Sequence, residues 1–561
     1  MSDLKNPILP GFFPDPSICR VGDDYYIANS TFEWFPGVPL HHSRDLVNWQ
    51  LVGHALTRPA QLDLRGITDS AGVWAPSMSY ADGQFWLIYT NIRNTGMGRP
   101  FKDIGIYLTT AQDIKGPWSD PITLNAMGFD PSLFHDDDGR KWLANIVWDY
   151  RKGRSRFAGI IVQEYDHAQR KLVGPVTKIM EKPGILCEGP NLYRHDGWYY
   201  LMMAEGGTGW NHGISMARSK NILGPYELDP QPLVLTSRDD ASLPLQKAGH
   251  GELVQTPSGE WYLAHLASRP ISTGQGVNTG SPDKSQAAAQ HAGHRCTLGR
   301  ETCLQKVEWR DGWLRIAGGG HHPKTTWPAP KGLAPHPWPE PPMRDDFDST
   351  KLDVRWNSLR VPVEESWCSL AARPGWLRLR GRDSQHSLFY QSFLARRLQH
   401  VRVTIETCLE FAPTHFMHSA GLICYYDTRT NFYLRVSHDE QLGKILGITL
   451  SDDTVYDELA DSQIAINDWQ KVFLRAEIDE ARLRFSASPD GKNWRQIGPE
   501  LDASKLSDDY GSTLHFTGAM VGLCCQDLKD QQLIADFDYF DYRPLTPNEA
   551  FQPRMNTDKH G

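Results

Sequence analysis

Three carboxylates stand beside prolines at matching places in a repeated motif. They are Asp15 in Phe12-Phe13-Pro14-Asp15-Pro16-Ser17, Asp130 in Phe129-Asp130-Pro131-Ser132, and Glu188 in Glu188-Gly189-Pro190-Asn191. Carboxyl groups gathered in one place can do general acid–base chemistry. Hydrolysis of a glycoside, for example, needs one protonated carboxyl to donate to the leaving oxygen. An inverting hydrolase needs a second, ionised carboxyl about 6.5–9.5 Å away to activate water on the far face of the sugar. A third nearby carboxylate raises the acid's pKa by like-charge repulsion and orients it. An Asp before a Pro ordinarily does no more than build a turn. Asp15 and Asp130 rise above that reading because they share a repeat position and are joined there by Glu188.

The element that must position them recurs five times. A short apolar strand runs into an Asp-Gly-type turn, and an aromatic strand returns. Examples are Ser17-Ile18 followed by Asp23-Asp24-Tyr25-Tyr26-Ile27, and Asn191-Leu192 followed by Asp196-Gly197-Trp198-Tyr199-Tyr200. Anchored at Pro16, Pro76, Pro131, Pro190 and Gly251, the copies are spaced 60, 55, 59 and 61 residues apart. A second element, His42–Trp49, returns at Ala111–Trp118 and Arg218–Tyr226. Hairpins at such a period predict a five-bladed β-propeller, with the first strand of each blade around a central channel. At or beside the position before each anchor stand Asp15, Ala75 (after Trp74), Asp130, Glu188 and His250. No blade needs a carboxylate there to fold.

At 561 residues the chain is too long for one ordinary core. Aromatic residues make up 11%, which favours β-structure and suits sugar-stacking surfaces. A net charge of −9 argues against nucleic acid or anionic membrane as partner and favours a neutral ligand. The first residues, Met1-Ser2-Asp3-Leu4-Lys5-Asn6-Pro7, hold no apolar run of the secretory kind, and no stretch reaches the length of a membrane span. Nine scattered cysteines, with Cys524 and Cys525 adjacent, read as reduced thiols in a cytoplasmic protein.

Residues 1–320 are assigned to the propeller. Residues 270–295, polar and rich in Gly, Ser and Ala, interrupt its last blade and are expected to form a disordered loop rather than a lid. Eight prolines between 321 and 343 mark a semi-rigid linker. Alternating strands such as Val401–Glu406 and Val472–Ile478 then predict a β-sandwich over 344–545, jelly-roll in type, with 546–561 as a tail. The fold class is therefore all-β. Asp136-Asp137-Asp138 and Ser488–Trp494 read as turns, not sites.

With these motifs assembled, a resemblance appears. Residues 6–320 resemble the five-bladed propeller of glycoside hydrolase family 43. Residues 344–545 resemble the concanavalin-like sandwich that follows it in that family's β-xylosidase branch. Pro14-Asp15-Pro16-Ser17, Phe129-Asp130-Pro131-Ser132, Glu188-Gly189-Pro190 and Leu298-Gly299-Arg300-Glu301-Thr302 carry the likeness in this order. The resemblance implies Asp15 as general base, Glu188 as general acid and Asp130 as the carboxylate that tunes and orients Glu188. It further implies His250 and Arg300 at the floor of a xylose pocket, and Trp74, Phe129 and Trp148 as apolar walls. His515-Phe516-Thr517-Gly518 matches a sandwich loop that reaches back to the site, which makes Phe516 a lid residue. Without the resemblance, Trp74 and Trp148 read as core and Arg300 as a salt-bridge partner, while the repeat position of His250 lifts it above the reading of a satisfied core histidine. The chain departs from the family pattern at the 270–295 insertion.

The expected activity is release of xylose from the non-reducing ends of β-1,4-xylooligosaccharides with inversion, together with α-L-arabinofuranosidase activity. The alternatives are a dedicated arabinofuranosidase or arabinan-cleaving enzyme, and a non-catalytic sugar-binding propeller. No cofactor is required. Calcium occurs near the axis of some propellers of the family, yet no spaced set of oxygen ligands is present in this sequence, so no metal is predicted. The resemblance also implies a homo-oligomer, with a tetramer as one form.

Overall fold

The computed structural model describes residues 3–95, 100–273 and 285–546. Five antiparallel sheets, each beginning at one of the repeat anchors, form the blades of a propeller. Blade one is built from Ser17–Val21, Asp24–Ala28, Gly37–Ser43 and Gln50–Leu56. Blade two runs from Gly72–Ala81 through Gln84–Asn94 and Asp103–Ala111 to Ile122–Thr123. Blade three holds Ser132–His135, Lys141–Trp148, Phe157–Asp166 and Lys171–Met180. Blade four begins with Cys187–His195 and Trp198–Glu205, and blade five with Gln246–Gln255 and Trp261–Ser268. Glu301–Arg310 is the third strand of blade five. It brings Arg300, at its entrance, to the axis.

The repeat has a backbone cause. Directly before each anchor, one residue has positive φ: Asp15 (51°), Ala75 (30°), Asp130 (52°), Gly189 (55°) and His250 (42°). A left-handed residue kinks the chain as it enters the inner strand and turns its side chain towards the axis. Asp15, Asp130 and His250 occupy the kink itself. Glu188 precedes it by one residue, in register with Trp74 and Phe129, so it approaches the axis from another direction.

The second unit is a sandwich of an eight-stranded and a nine-stranded sheet. Its core is apolar from face to face, with Leu377, Leu422, Leu474, Phe485 and Phe537 fully buried. The two units share a sheet. Trp34–Phe35 of the propeller pairs with Asn357–Leu359 and forms the edge of the nine-stranded sheet. Behind this pairing, Arg360 Nη2 meets Asp69 Oδ1 at 2.6 Å, and Arg360 Nε donates to the Ile67 carbonyl. Glu33, fully buried beside them, is pushed up to about 8 by burial, with Arg360 opposing the rise. The Pro-rich stretch runs along the propeller: Thr326–Trp327 pairs with Leu4–Lys5, and the His336 N–H donates to Asp45.

One expectation is corrected. The 270–295 segment was read as disordered, but its described part is ordered. Ile271–Ser272 pairs with His294–Arg295, and Gln286–Gln290 forms a helix. Ser285 Oγ accepts the Ala288 N–H as its cap. His291 stacks on Trp210 with ring centroids 3.9 Å apart. A buried aromatic anchor overcomes a composition typical of loops. Residues 274–284 lie outside the described residues. Among the described residues no helix is long and apolar enough to cross a membrane.

Arg360→Met would leave Asp69 and Glu33 buried without their cation. We expect a loss of about 3–5 kcal/mol, the range for removing one partner of a buried pair. A urea-unfolding midpoint that stays unchanged would show that this pair does not hold the two units together.

Candidate active site

A cavity of ≈ 680 Å³ opens at the axis, where the propeller meets the sandwich. Asp15, Asp130 and Glu188 all line it, as do His250 and Arg300. So do the expected apolar residues Trp74, Phe129, Trp148 and Phe516. The structure thus brings together every residue singled out from the sequence.

Asp15 is 5% exposed and fully engaged. Its Oδ1 accepts from Arg300 Nη1 at 2.7 Å, and its Oδ2 accepts from Ser30 Oγ at 2.6 Å. Burial by itself would raise its pKa. The charge of Arg300, helped by His250 and the Ser30 hydroxyl, instead holds it below the ordinary 3.8. Asp15 is therefore ionised at neutral pH.

Glu188 has the opposite setting. It is half-buried, and burial lifts its carboxyl to about 7. The charge of Asp15 adds to the rise, while Arg300 and Lys102 oppose it. Asp130 is pushed well above the carboxylate range by burial, and then by the charges of Glu188 and Asp15. Two carboxyls in one dry site do not both ionise cheaply, which fits the upward direction of both shifts. Asp130 Oδ2 also accepts the N–H of Gly189 at 3.1 Å. That bond fixes the backbone immediately after Glu188. The resemblance implies that Asp130 tunes and orients Glu188; among the causes of the raised Glu188 pKa, burial leads and the Asp15 charge comes next.

Glycine at position 189 suits the close packing there: a Cβ would lie 3.0 Å from His250 Cε1 and 3.1 Å from Ala204 Cβ. His250 is kept below its usual pKa by burial, against the pull of Asp15, and so stays neutral.

The apolar wall is a continuous set of rings. Trp74 meets Phe129 and Phe516 edge-on, each at 5.4 Å between centroids. Phe129 leads on to Trp148 at 6.1 Å. The Trp74 indole donates to the Ser70 carbonyl, which sets its tilt. Phe516 enters from the sandwich and is held at both backbone ends. Its N–H donates to Ser70 Oγ at 3.0 Å, and its carbonyl accepts from Arg300 Nη2 at 2.9 Å. The approach is close: a Cβ on Gly299 would stand 2.8 Å from Gly518 Cα.

Several lining residues were not anticipated. Lys102 donates to the Thr95 carbonyl and lies 4.7 Å over Trp148 and 4.9 Å over Trp74. Burial brings it down to about 8, with Glu188 and Asp130 pulling the other way. Phe32 lies under the Arg300 guanidinium. Thr208 Oγ1 accepts from Arg300 Nη1 at 2.9 Å. On the sandwich side, buried Lys247 binds Asp508 at 3.1 Å and Asp509 at 2.7 Å. None of these shares a repeat position, so periodicity offered no signal. Asp508-Asp509 is an acidic pair in a turn-like sequence that reads as solvated surface.

One cavity thus holds an ionised carboxylate, a protonated carboxyl and an aromatic wall, which is an acid–base pair built for a neutral, partly apolar ligand. Comparison with known proteins agrees. Residues 4–314 match the model of glycosyl hydrolases family 43, and residues 344–543 match the β-xylosidase C-terminal concanavalin A-like domain. The chain is 45% identical to a xylan 1,3-β-xylosidase of a Vibrio species, covering 96% of this chain and 99% of that one. It is 44% identical to xylosidase/arabinosidase 43B of Humicola insolens, over 98% of this chain and all of that one. The crystal structure of a xylan β-1,4-xylosidase from Bacillus halodurans superposes with a TM-score of 0.91 at 51% identity, over 96% of this chain and all of that one.

Arg300→Gln removes the charge that keeps Asp15 ionised. The Asp15 carboxyl should then titrate at higher pH, as followed by carbon-13 NMR of aspartate-labelled protein. An unmoved titration would assign the low pKa to another group.

Proposed function

The chain belongs to glycosyl hydrolase family 43, and on that premise we propose that it cleaves β-1,4-xylooligosaccharides from their non-reducing ends with inversion, releasing xylose. The observation that carries the reading is the placement in one cavity of Asp15, held by Arg300 and Ser30, and of Glu188, buried near the Asp15 charge, which drives their pKa values in opposite directions. Asp15 takes a proton from water as the water attacks the anomeric carbon. Glu188 gives its proton to the departing glycosidic oxygen. Asp130 holds the acid's backbone through the Gly189 N–H. Arg300 and neutral His250 form the floor, and Trp74, Phe129, Trp148 and Phe516 take the apolar faces of the sugar. A cavity shut on one side by the sandwich favours chain ends.

A second activity on α-L-arabinofuranosides belongs to the same proposal. It is supported by the relative named xylosidase/arabinosidase, whose whole length this chain covers. A purely sugar-binding propeller would have no use for carboxyls held in opposite states. No metal or cofactor is required by the proposed step, which two carboxyls and water complete. Cytoplasmic location is proposed on the nine unpaired cysteines. Homo-oligomeric assembly is proposed on the family resemblance alone, and sedimentation velocity of the purified chain would check it.

The test is a proton NMR time course of xylobiose cleavage. α-Xylose should appear first and then mutarotate. β-Xylose appearing first would overturn the inverting roles of Asp15 and Glu188, and absence of cleavage would overturn the substrate.

The pH profile follows from the site. Activity needs Glu188 protonated, so kcat/KM should fall as pH rises through about 7. It needs Asp15 ionised, so the acid limb should lie below 3.8. Lys102→Met removes a cation that favours ionised Glu188, so the alkaline limb should move to higher pH. A limb that moves down or stays in place would remove Lys102 from the acid's environment.

A further inference from the structure

Far from the acid–base chemistry, two imidazoles converge on one carboxylate. His321 Nε2 lies 2.7 Å from Asp239 Oδ2, and His322 Nε2 lies 3.0 Å from Asp239 Oδ1. One donor atom from each residue falls within 4.8 Å of the others. None of the three lines the cavity described above. Neighbouring side chains on an extended chain point to opposite sides. Here both rings turn the same way, with centroids 4.5 Å apart. The cause lies just upstream, where Gly318, Gly319 and Gly320 all have positive φ, between 78° and 89°. Three left-handed glycines swing the chain back, and the His321 carbonyl is then pinned by the Thr236 N–H at 2.9 Å. The carboxylate comes from the loop that follows strand Leu235–Thr236 of blade four. The three groups are partly exposed, at 36%, 37% and 50%, so an ion could reach them from solvent.

Two imidazoles and one carboxylate are a nitrogen-rich set. It suits zinc and its neighbours far better than calcium or magnesium, which take oxygen ligands. Donor atoms around a tetrahedral zinc with bonds of about 2.0–2.1 Å lie a little over 3 Å apart; here the imidazole–carboxylate separations are 2.7 and 3.0 Å, and one donor from each residue lies within 4.8 Å of the others. We propose that Asp239, His321 and His322 form a binding site for a zinc-class divalent cation, completed by water. The ion would tie the start of the Pro-rich segment to the loop at Ser237–Asp240. That loop braces the cavity wall from behind: Thr236 Oγ1 donates to the His212 carbonyl, and Ser237 Oγ accepts the Ala248 N–H. The site is structural and takes no part in bond cleavage.

The test is calorimetric titration of zinc chloride into full-length, tag-free protein first stripped with EDTA. About one zinc should bind per chain, and the thermal midpoint should rise with zinc. Either His322→Ala or Asp239→Asn should weaken binding by roughly tenfold or more and abolish the rise in the midpoint. The zinc-free variants should hydrolyse substrate at the wild-type rate, which shows that they fold. Absence of binding by the wild-type chain overturns the proposal. So does equal binding by folded variants, which would mean an adventitious ion only.

Discussion

The account depends on one guanidinium. Arg300 is 2% exposed and reaches three parts of the molecule at once. It bonds Asp15 of blade one, Thr208 of blade four and the Phe516 carbonyl of the sandwich. A buried charge is tolerable only when it is paired and hydrogen-bonded. Arg300 meets that condition only while the last blade closes against the first and the sandwich sits on the axis. The same contact keeps Asp15 ionised. Closure of the propeller, docking of the second unit and readiness of the base therefore rest on one side chain.

Burial acts on Asp15 and Glu188 in the same direction; their partners decide the outcome. Asp15 has a cation and a hydroxyl on its two oxygens. Glu188 has the negative charge of Asp15 raising its pKa further, opposed by the charges of Arg300 and Lys102. The kink before each anchor makes this asymmetry possible. Asp15, itself a left-handed residue, meets Arg300, while Glu188, placed one residue before the kink, lines the cavity without a cation on its oxygens among the described residues. The sandwich adds the closing face, through Phe516, and its Asp508 and Asp509 bind Lys247 of blade five at the rim. Sharing Trp34–Phe35 with the nine-stranded sheet keeps that face in register with the blades.

Much of this was legible from periodicity. Asp15, Asp130 and His250 stood out because a repeat makes equivalent positions comparable, and five anchors implied five blades. Glu188 was found beside the anchor, but its one-residue offset has meaning only once the φ angles are known. Ser30, Lys102, Thr208 and Phe32 reach the cavity from places that do not recur, so no pattern marked them. The strand donated at Trp34–Phe35 is two residues long, and its partner is over 300 residues away in sequence, beyond any local signal. The 285–295 segment was misread for a related reason: its order comes from the stacking of His291 on Trp210, a tertiary contact that composition does not encode.

The central claim is that Glu188 is the proton donor and Asp15 works without it. The most direct measurement compares Glu188→Gln on two substrates, xylobiose and an aryl xyloside whose phenol leaves readily without protonation. The account predicts a loss of about 10²–10⁴-fold on xylobiose, a much smaller loss on the aryl xyloside, and no alkaline limb in the variant's pH profile. Equal losses on both substrates, with the alkaline limb intact, would contradict it.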